Sequence, residues 1–328
     1  MSKLQDQKSI RFPQGTVREY SWNILQIVLF AGALLVNLVI PSKHMVDLFP
    51  YRVVLGIFLL IFLVQIIVSF SNNNVKRKIQ YSAQFYCALG VAFILWDLLT
   101  EKFNLLPLPF FPSLAQIIQV MVEDAATLLL STGYSIRLLV IGFVIGLLLG
   151  LITGVLMGWY KKWHYWLFPG IKIIGVIPAT AWIPIVMIIF PSSFYASIAL
   201  IVISVWFPVA FMTSTGIANI PNSYFEAAKT LGAGEKFLIF KVGIPGAMPS
   251  IITGVYMATA LAFTTLVVSE MIGAKAGLGW YINWAKGWSN YAKVYASIII
   301  MAVVFSLLMA LFFKIRDRLL IWQKGLLK

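Results

Sequence analysis

The chain has 328 residues, 61% of them hydrophobic and 11% charged, whereas a soluble domain carries roughly 25% charged residues on average. Its formal net charge of +14 lies almost wholly between apolar runs, which argues against a nucleic-acid face and makes the basic residues markers of membrane topology. The apolar runs are about 20 residues long, enough to cross a hydrocarbon core as helices, and the period-2 alternation of a β-barrel is absent.

The fold class read from this pattern is an all-α polytopic membrane protein in a lipid bilayer. The N-terminal tail is polar, with Lys3, Lys8, Arg11 and Arg18. The run that follows is too long for a signal-peptide core and lacks a small-x-small cleavage pattern, so a retained helix is expected. Candidate spans then fall at 21–40, 51–70, 83–100, 134–158, 168–190, 194–217, 250–271 and 294–314. Eight spans put both ends on one side. With the N-terminus in the cytoplasm, that side collects the tail, Lys76 to Lys78, Lys161, Lys162, Lys229, Lys236, Lys241 and the basic C-terminal residues, seventeen in all. The opposite side receives Lys43, Arg52, Lys102, Arg137, Lys275, Lys286 and Lys293, seven residues, and this asymmetry sets the orientation.

Cys87 is the only cysteine, which leaves no intrachain disulfide and no cysteine metal site. His44 and His164 stand in separate connections and read as interfacial residues. Asp97 is near a helix end with Glu101, where a solvated edge is expected. The connection 101–133 carries Pro107, Pro109 and Pro112, then apolar residues at helical spacing from Leu114 to Leu128. Ser113 with Gln116 has the form of a capping box, so an amphipathic helix at the outer interface is expected.

Gly142, Gly146, Gly150, Gly154 and Gly158 recur every four residues along one span, a stripe that lets helix backbones approach closely. The expectation is packing, inside the subunit or between two copies. Pro178 and Pro184 interrupt one span and Pro208 the next, freeing carbonyls that the membrane tolerates only beside protein or water. Trp182 and Trp206 lie near these breaks, where they could line a pathway or pack. Glu270 is an acid near a membrane interior and needs a partner; Lys275 is the candidate, in either a structural pair or a gate.

The polar connection 218–249 is bounded by Pro221 and Pro245. Asn222 or Ser223 can cap a short helix with Glu226 reaching back, and Gly232 and Gly234 supply a stop in the left-handed conformation. A second short helix from Glu235 to Val242 then runs into Gly243-Ile244-Pro245, a shape suited to docking into another protein.

Glu226-Ala227-Ala228, three residues, Gly232, nine residues, then Val242-Gly243-Ile244-Pro245 resembles the EAA loop of ABC-importer permeases. The similarity extends over 83–328. It includes Pro107 to Pro112, Ile177-Pro178-Ala179, Trp182-Ile183-Pro184, Ser269 to Gly273 with Gly277-Leu278-Gly279, and the tail from Arg316 to Trp322. Together these are most similar to the nitrate, sulfonate, taurine and bicarbonate branch. The resemblance implies a six-helix type I core at 83–328, preceded at 1–82 by the tail and two extra transmembrane helices. It implies that Glu226, Ala227, Ala228, Gly232 and Pro245 couple to an ABC ATPase subunit, with a second permease copy and an extracytoplasmic binding protein as further partners. No Gly-x-x-x-x-Gly-Lys-Ser/Thr loop is present in the sequence, so no cofactor is expected on this chain and ATP and Mg belong to the partner ATPase. The substrate implied is a small anion or organic acid, with an uncharged metabolite or vitamin precursor as the alternative. A stand-alone secondary transporter would carry buried ionisable sites or repeated halves, and an embedded enzyme would need a cluster of catalytic groups.

Overall fold

The structure, a computed structural model, describes residues 18–43, 46–71 and 73–321. The polar tail before Arg18, His44 and the residues from Trp322 onward lie outside the described residues. Contacts divide the chain into two compact units that meet at Glu123 and Asp124.

In the first unit, α1 (Arg18–Val39), α2 (Phe49–Ser71) and α3 (Asn73–Asp97) are followed by a π-helical turn at Leu98–Lys102 and by α4 (Leu114–Glu123). On α1 the buried residues are Asn23, Gln26, Phe30, Ala33 and Asn37, alternating three and four apart. That is the seam expected of a helix packed along its length against its neighbours. Phe30 fills the centre, with ring centroids 5.3 Å from Phe58 and 5.0 Å from Phe62 on α2 and 5.8 Å from Phe93 on α3. A methyl group at Gly90 would fall 3.1 Å from the Phe30 ring, so the glycine lets α3 close on α1. The Ser113–Gln116 capping box forms reciprocally, Gln116 N donating to Ser113 Oγ at 3.3 Å and Ser113 N to Gln116 Oε1 at 3.1 Å.

The second unit contains α5 (Ala125–Trp159), α6 (Lys161–Val176), a 3-10 turn at Ala179–Trp182, and α7 (Ile183–Ile189). These lead to α8 (Ser193–Ala218), α9 (Asn222–Thr230), α10 (Glu235–Phe237), a π turn at Leu238–Gly243, and α11 (Ile244–Gly273). The unit ends in α12 (Leu278–Gly287) and α13 (Tyr291–Leu319). Its core is the α5–α8–α11 layer, where Leu138, Ile201, Val205, Val209, Ala258, Ala262 and Leu266 are buried together.

Among the described residues, seven helical stretches are long and apolar enough to cross a membrane, and α6 with the segment Ala179–Ile189 makes an eighth if that pair, bent by 93°, is one broken span. The break coincides with Pro178, which holds an extended backbone of φ −54° and ψ 137° before the 3-10 turn.

Four expectations are corrected. The interfacial helix ends at Glu123, and α5 starts at Ala125 rather than 134, running about 50 Å at 1.5 Å per residue. Pro245 does not end a loop: Glu235 to Gly273 form one continuous helical run. The π turn has already displaced the backbone ladder there, so a proline in the first turn of α11 forfeits little. Pro208 lies inside an unbroken α8. The connection between the last two expected spans contains α12, a helix that the sequence reading did not anticipate.

Candidate functional site

The glycine stripe fixes the register of α5 on α8. Methyl groups at Gly142, Gly146, Gly150, Gly154 and Gly158 would meet Ile201, Val205, Val209, Thr213 and Ile217 at 2.6–2.9 Å. Every stripe glycine therefore faces a β-branched residue of α8 at the same sequence offset, and the backbones approach more closely than any larger residue permits. Trp206 donates from its indole nitrogen to Thr153 Oγ1 at 2.9 Å, tying α8 to α5. Trp182 packs with Ile183, Val186, Ala196 and Leu200. Pro178 and Pro184 are exposed. Pro208 is buried, and its carbonyl lies 2.9 Å from where a methyl at Gly254 on α11 would stand.

Glu270 is 1% exposed. Its Oε2 accepts from Ser135 Oγ of α5 at 2.9 Å and from the Gly279 amide at 2.8 Å. Ser135 Oγ in turn accepts from the Leu278 amide at 2.9 Å. The carboxylate thus sits at the N-terminus of α12, where free amides and the helix dipole favour an anion. Gly277 makes this possible: its φ is +126°, and a methyl there would fall 2.5 Å from the Glu270 carboxyl carbon. Lys275, the partner expected from the sequence, is exposed and forms no described ion pair with Glu270, because the loop turns its backbone onto the acid instead. Tyr281 of α12 donates from its hydroxyl to Asp124, which also pairs with Lys293, both at 2.5 Å, pinning α12 and α13 to the start of α5.

The connection between α8 and α11 presents α9. Asn222 and Ser223 fall inside its first turn and Pro221 stands at the cap with no side-chain bond, so the expected capping box with Glu226 does not form. Glu226 and Ala227 are exposed and Ala228 half-buried. Gly232 takes φ +84° and makes the corner, a conformation glycine adopts without strain. Gly234 is extended, with φ −74° and ψ 168°, and plays no left-handed part. Leu231 is 89% exposed, and Tyr224, Phe237 and Phe240 of the same connection are exposed as well.

The sequence reading missed the residue that holds this connection. Trp159, at the end of α5, donates to Glu235 Oε1 at 3.0 Å and stacks edge-on against Phe225, with centroids 5.4 Å apart and planes at 75°. No motif flags it, since one tryptophan at a helix end reads as an interfacial anchor.

The geometry defines a polytopic helical membrane protein with a shaped polar connection between two spans. The family model described as the binding-protein-dependent transport system inner membrane component matches residues 146–321, more than half of the chain. The chain belongs to that family and is a transport permease component.

It is 29% identical over 200 residues to the ABC transporter permease protein MJ0413 of Methanocaldococcus jannaschii, covering 59% of this chain and 74% of that protein. It is 32% identical over 116 residues to the nitrate import permease protein NrtB of Synechococcus elongatus, and likewise to the taurine transport system permease protein TauC of Escherichia coli. Those two matches cover 35% of this chain and 42% of each relative, so the chain spans less than half the length of either. Among solved structures, an inward-facing MetNI methionine ABC transporter chain shares the fold with a TM-score of 0.51 at 20% identity, over 60% of this chain and 98% of that one.

Proposed function

We propose that this chain forms the translocation pathway of an ATP-driven importer for a small anion or organic acid of the nitrate, sulfonate or bicarbonate type. The observation that carries the coupling part is the corner at Gly232. The connection that it shapes leaves Leu231, Tyr224, Phe237 and Phe240 uncovered, apolar side chains that a partner protein can bury. In this reading Glu226, Ala227, Ala228, Gly232 and Pro245 belong to a docking element for a separate ATPase, which supplies ATP and Mg. Trp159 links that element to α5, so a shift of the docked helix moves the end of the helix that packs on α8. A second copy of the chain gives each ATPase one docking site, and a binding protein delivers substrate on the opposite side. The division at 1–82 and 83–328 belongs to the same reading, with the two extra spans outside the six-helix core.

The substrate class rests on the likeness to the nitrate and taurine permeases. It is tested by uptake into vesicles holding the chain with its ATPase and binding protein. Labelled nitrate, taurine, an aliphatic sulfonate and bicarbonate are compared with uncharged metabolites of similar size. ATP-dependent uptake of one anion supports the reading; uptake of an uncharged compound alone overturns the anion assignment and leaves the permease class standing.

A further inference from the structure

Lys172 falls inside the candidate span 168–190, on neither side of the charge asymmetry that orients the chain. Its depth follows from the packing of α6 on α8. Phe168 stacks on Phe211 with ring centroids 6.3 Å apart. Ile171 is buried with Ala210 and with Met157 of α5, and a methyl group at Gly175 would run into the Phe207 ring. Lys172 therefore stands level with the stretch of α8 from Phe207 to Ala210, eleven to eight residues before that helix ends at Ala218. At 1.5 Å per residue it lies about 12–16 Å in from the end that leads into the 218–249 connection.

No described side chain neutralises its ammonium group. Lys172 is exposed and forms no hydrogen bond or ion pair with a described residue. Residues 125–225 contain no Asp or Glu, so α5, α6, α7 and α8 offer no carboxylate, and the same helices of a second copy would bring none. On α11, which also packs on α8, the single acid is Glu270, already held by Ser135 and the Gly279 amide. A lysine at such depth is costly in hydrocarbon, and lysines of this kind face a bundle interior or a water-filled cavity.

Two further features of the same segment point to water. The chain bends by 93° after α6, with Ile177 and Pro178 exposed at the break, and irregular backbone at membrane depth is tolerated only within protein or beside a water-filled cavity. Beyond the break, Trp182 Nε1 is buried without an acceptor, and an indole nitrogen can only donate. The broken span thus carries a cation and a free donor, with no acid to match them. We propose that Lys172 is the cationic contact that a small anion meets inside the translocation pathway. This rests on the importer reading above and adds to it the group that selects for negative charge. An ammonium is a compact point charge with three rotatable donors, so it reads charge rather than shape and gives nitrate, a sulfonate and bicarbonate one common contact. A single exposed charge also releases the ion again, as a pathway requires.

The test is ATP-dependent uptake of labelled nitrate, an aliphatic sulfonate and bicarbonate into vesicles that hold the full chain with its ATPase and binding protein. The wild type is compared with Lys172→Gln and Lys172→Arg. The expected result is that Lys172→Gln lowers uptake of the transported anion at least tenfold while the assembled complex still hydrolyses ATP, and that Lys172→Arg restores most of it. Unchanged uptake in Lys172→Gln overturns the proposal and leaves the importer reading intact, whereas a wild type that imports only an uncharged compound overturns both. Joint loss of uptake and ATP hydrolysis without rescue by arginine assigns the lysine to the fold and also overturns the proposal. A second measurement is independent of transport: Lys172→Cys in a Cys87→Ala background is treated with a charged, membrane-impermeant thiol reagent supplied on both sides of the vesicle. Labelling is expected from a residue that faces water; its absence places residue 172 against lipid and overturns the proposal.

Discussion

Gly154 of α5 stands so close to Thr213 of α8 that a methyl group added to the glycine would fall 2.6 Å from the Thr213 Cβ and 2.7 Å from the Ala210 carbonyl. Backbone cannot move aside as the end of a flexible side chain can, so overpacking here costs about 1–3 kcal/mol or more. Gly133 lies on the same helix with nothing within 4 Å of its notional Cβ. The expected outcome is that Gly154→Ala destabilises the purified protein by that amount. Gly133→Ala should be neutral or stabilising by up to about 1 kcal/mol, the helix preference of alanine over glycine. Denaturant titration in detergent compares the two; equal effects would show that the α5–α8 seam does not set stability.

Gly277 and Glu270 are coupled in the same steric sense. Gly277→Ala adds a methyl 2.5 Å from the acid's carboxyl carbon at a residue with φ +126°, so both a clash and a backbone penalty are expected. Glu270→Ala relieves the clash alone. The double variant should recover part of the loss, giving a coupling of about 0.5–3 kcal/mol in a double-mutant cycle, whereas strictly additive losses would separate the two sites.

The Asp124 carboxyl is held below the ordinary carboxylate range. Burial alone would raise it, but the hydrogen bonds from Lys293 and Tyr281 and the charge of Lys293 outweigh that. A group whose folded-state pKa is depressed contributes stability that is present above its unfolded value, about 4, and lost as pH falls through the folded value. Melting curves between pH 7 and pH 3 should therefore fall off less in Asp124→Asn than in the wild type. Lys293→Met should also flatten the acid limb, and an unchanged acid limb in both would remove this cluster from the account.

The apolar runs made the spans legible, since a hydrocarbon core demands length and hydrophobicity before anything else. The corner in the 218–249 connection was legible for a different reason: Gly232 must turn where few residues can. What stayed hidden depends on three-dimensional proximity. Asp97 and Glu101 read as edge residues because nothing in the sequence shows that the fold buries both. Glu270 called for a cation, yet received Ser135 from α5, 135 positions away, and a backbone amide that only the Gly277 turn can deliver. Helix bounds were missed where proline falls in a first turn, as at Pro245, or inside a ladder that tolerates it, as at Pro208.

Trp159 should carry motion between the docking segment and α5. Trp159→Phe keeps the ring against Phe225 but removes the 3.0 Å bond to Glu235, a loss of roughly 0.5–1.5 kcal/mol. In vesicles, uptake per ATP hydrolysed should drop while the amount of inserted protein stays constant. An unaltered ratio would assign Trp159 to anchoring alone.

The central claim, a permease driven by a separate ATPase through the corner at Gly232, is tested most directly by co-purification. The chain is extracted with its neighbours in mild detergent, and ATP hydrolysis is measured on whatever remains bound, for the wild type and for Gly232→Pro and Glu226→Lys. The account predicts a stoichiometric ATPase with the wild type and its loss, or loss of transport-coupled hydrolysis, in both variants while the chain still inserts. A chain that purifies alone and transports without ATP would contradict it and place the protein among secondary transporters.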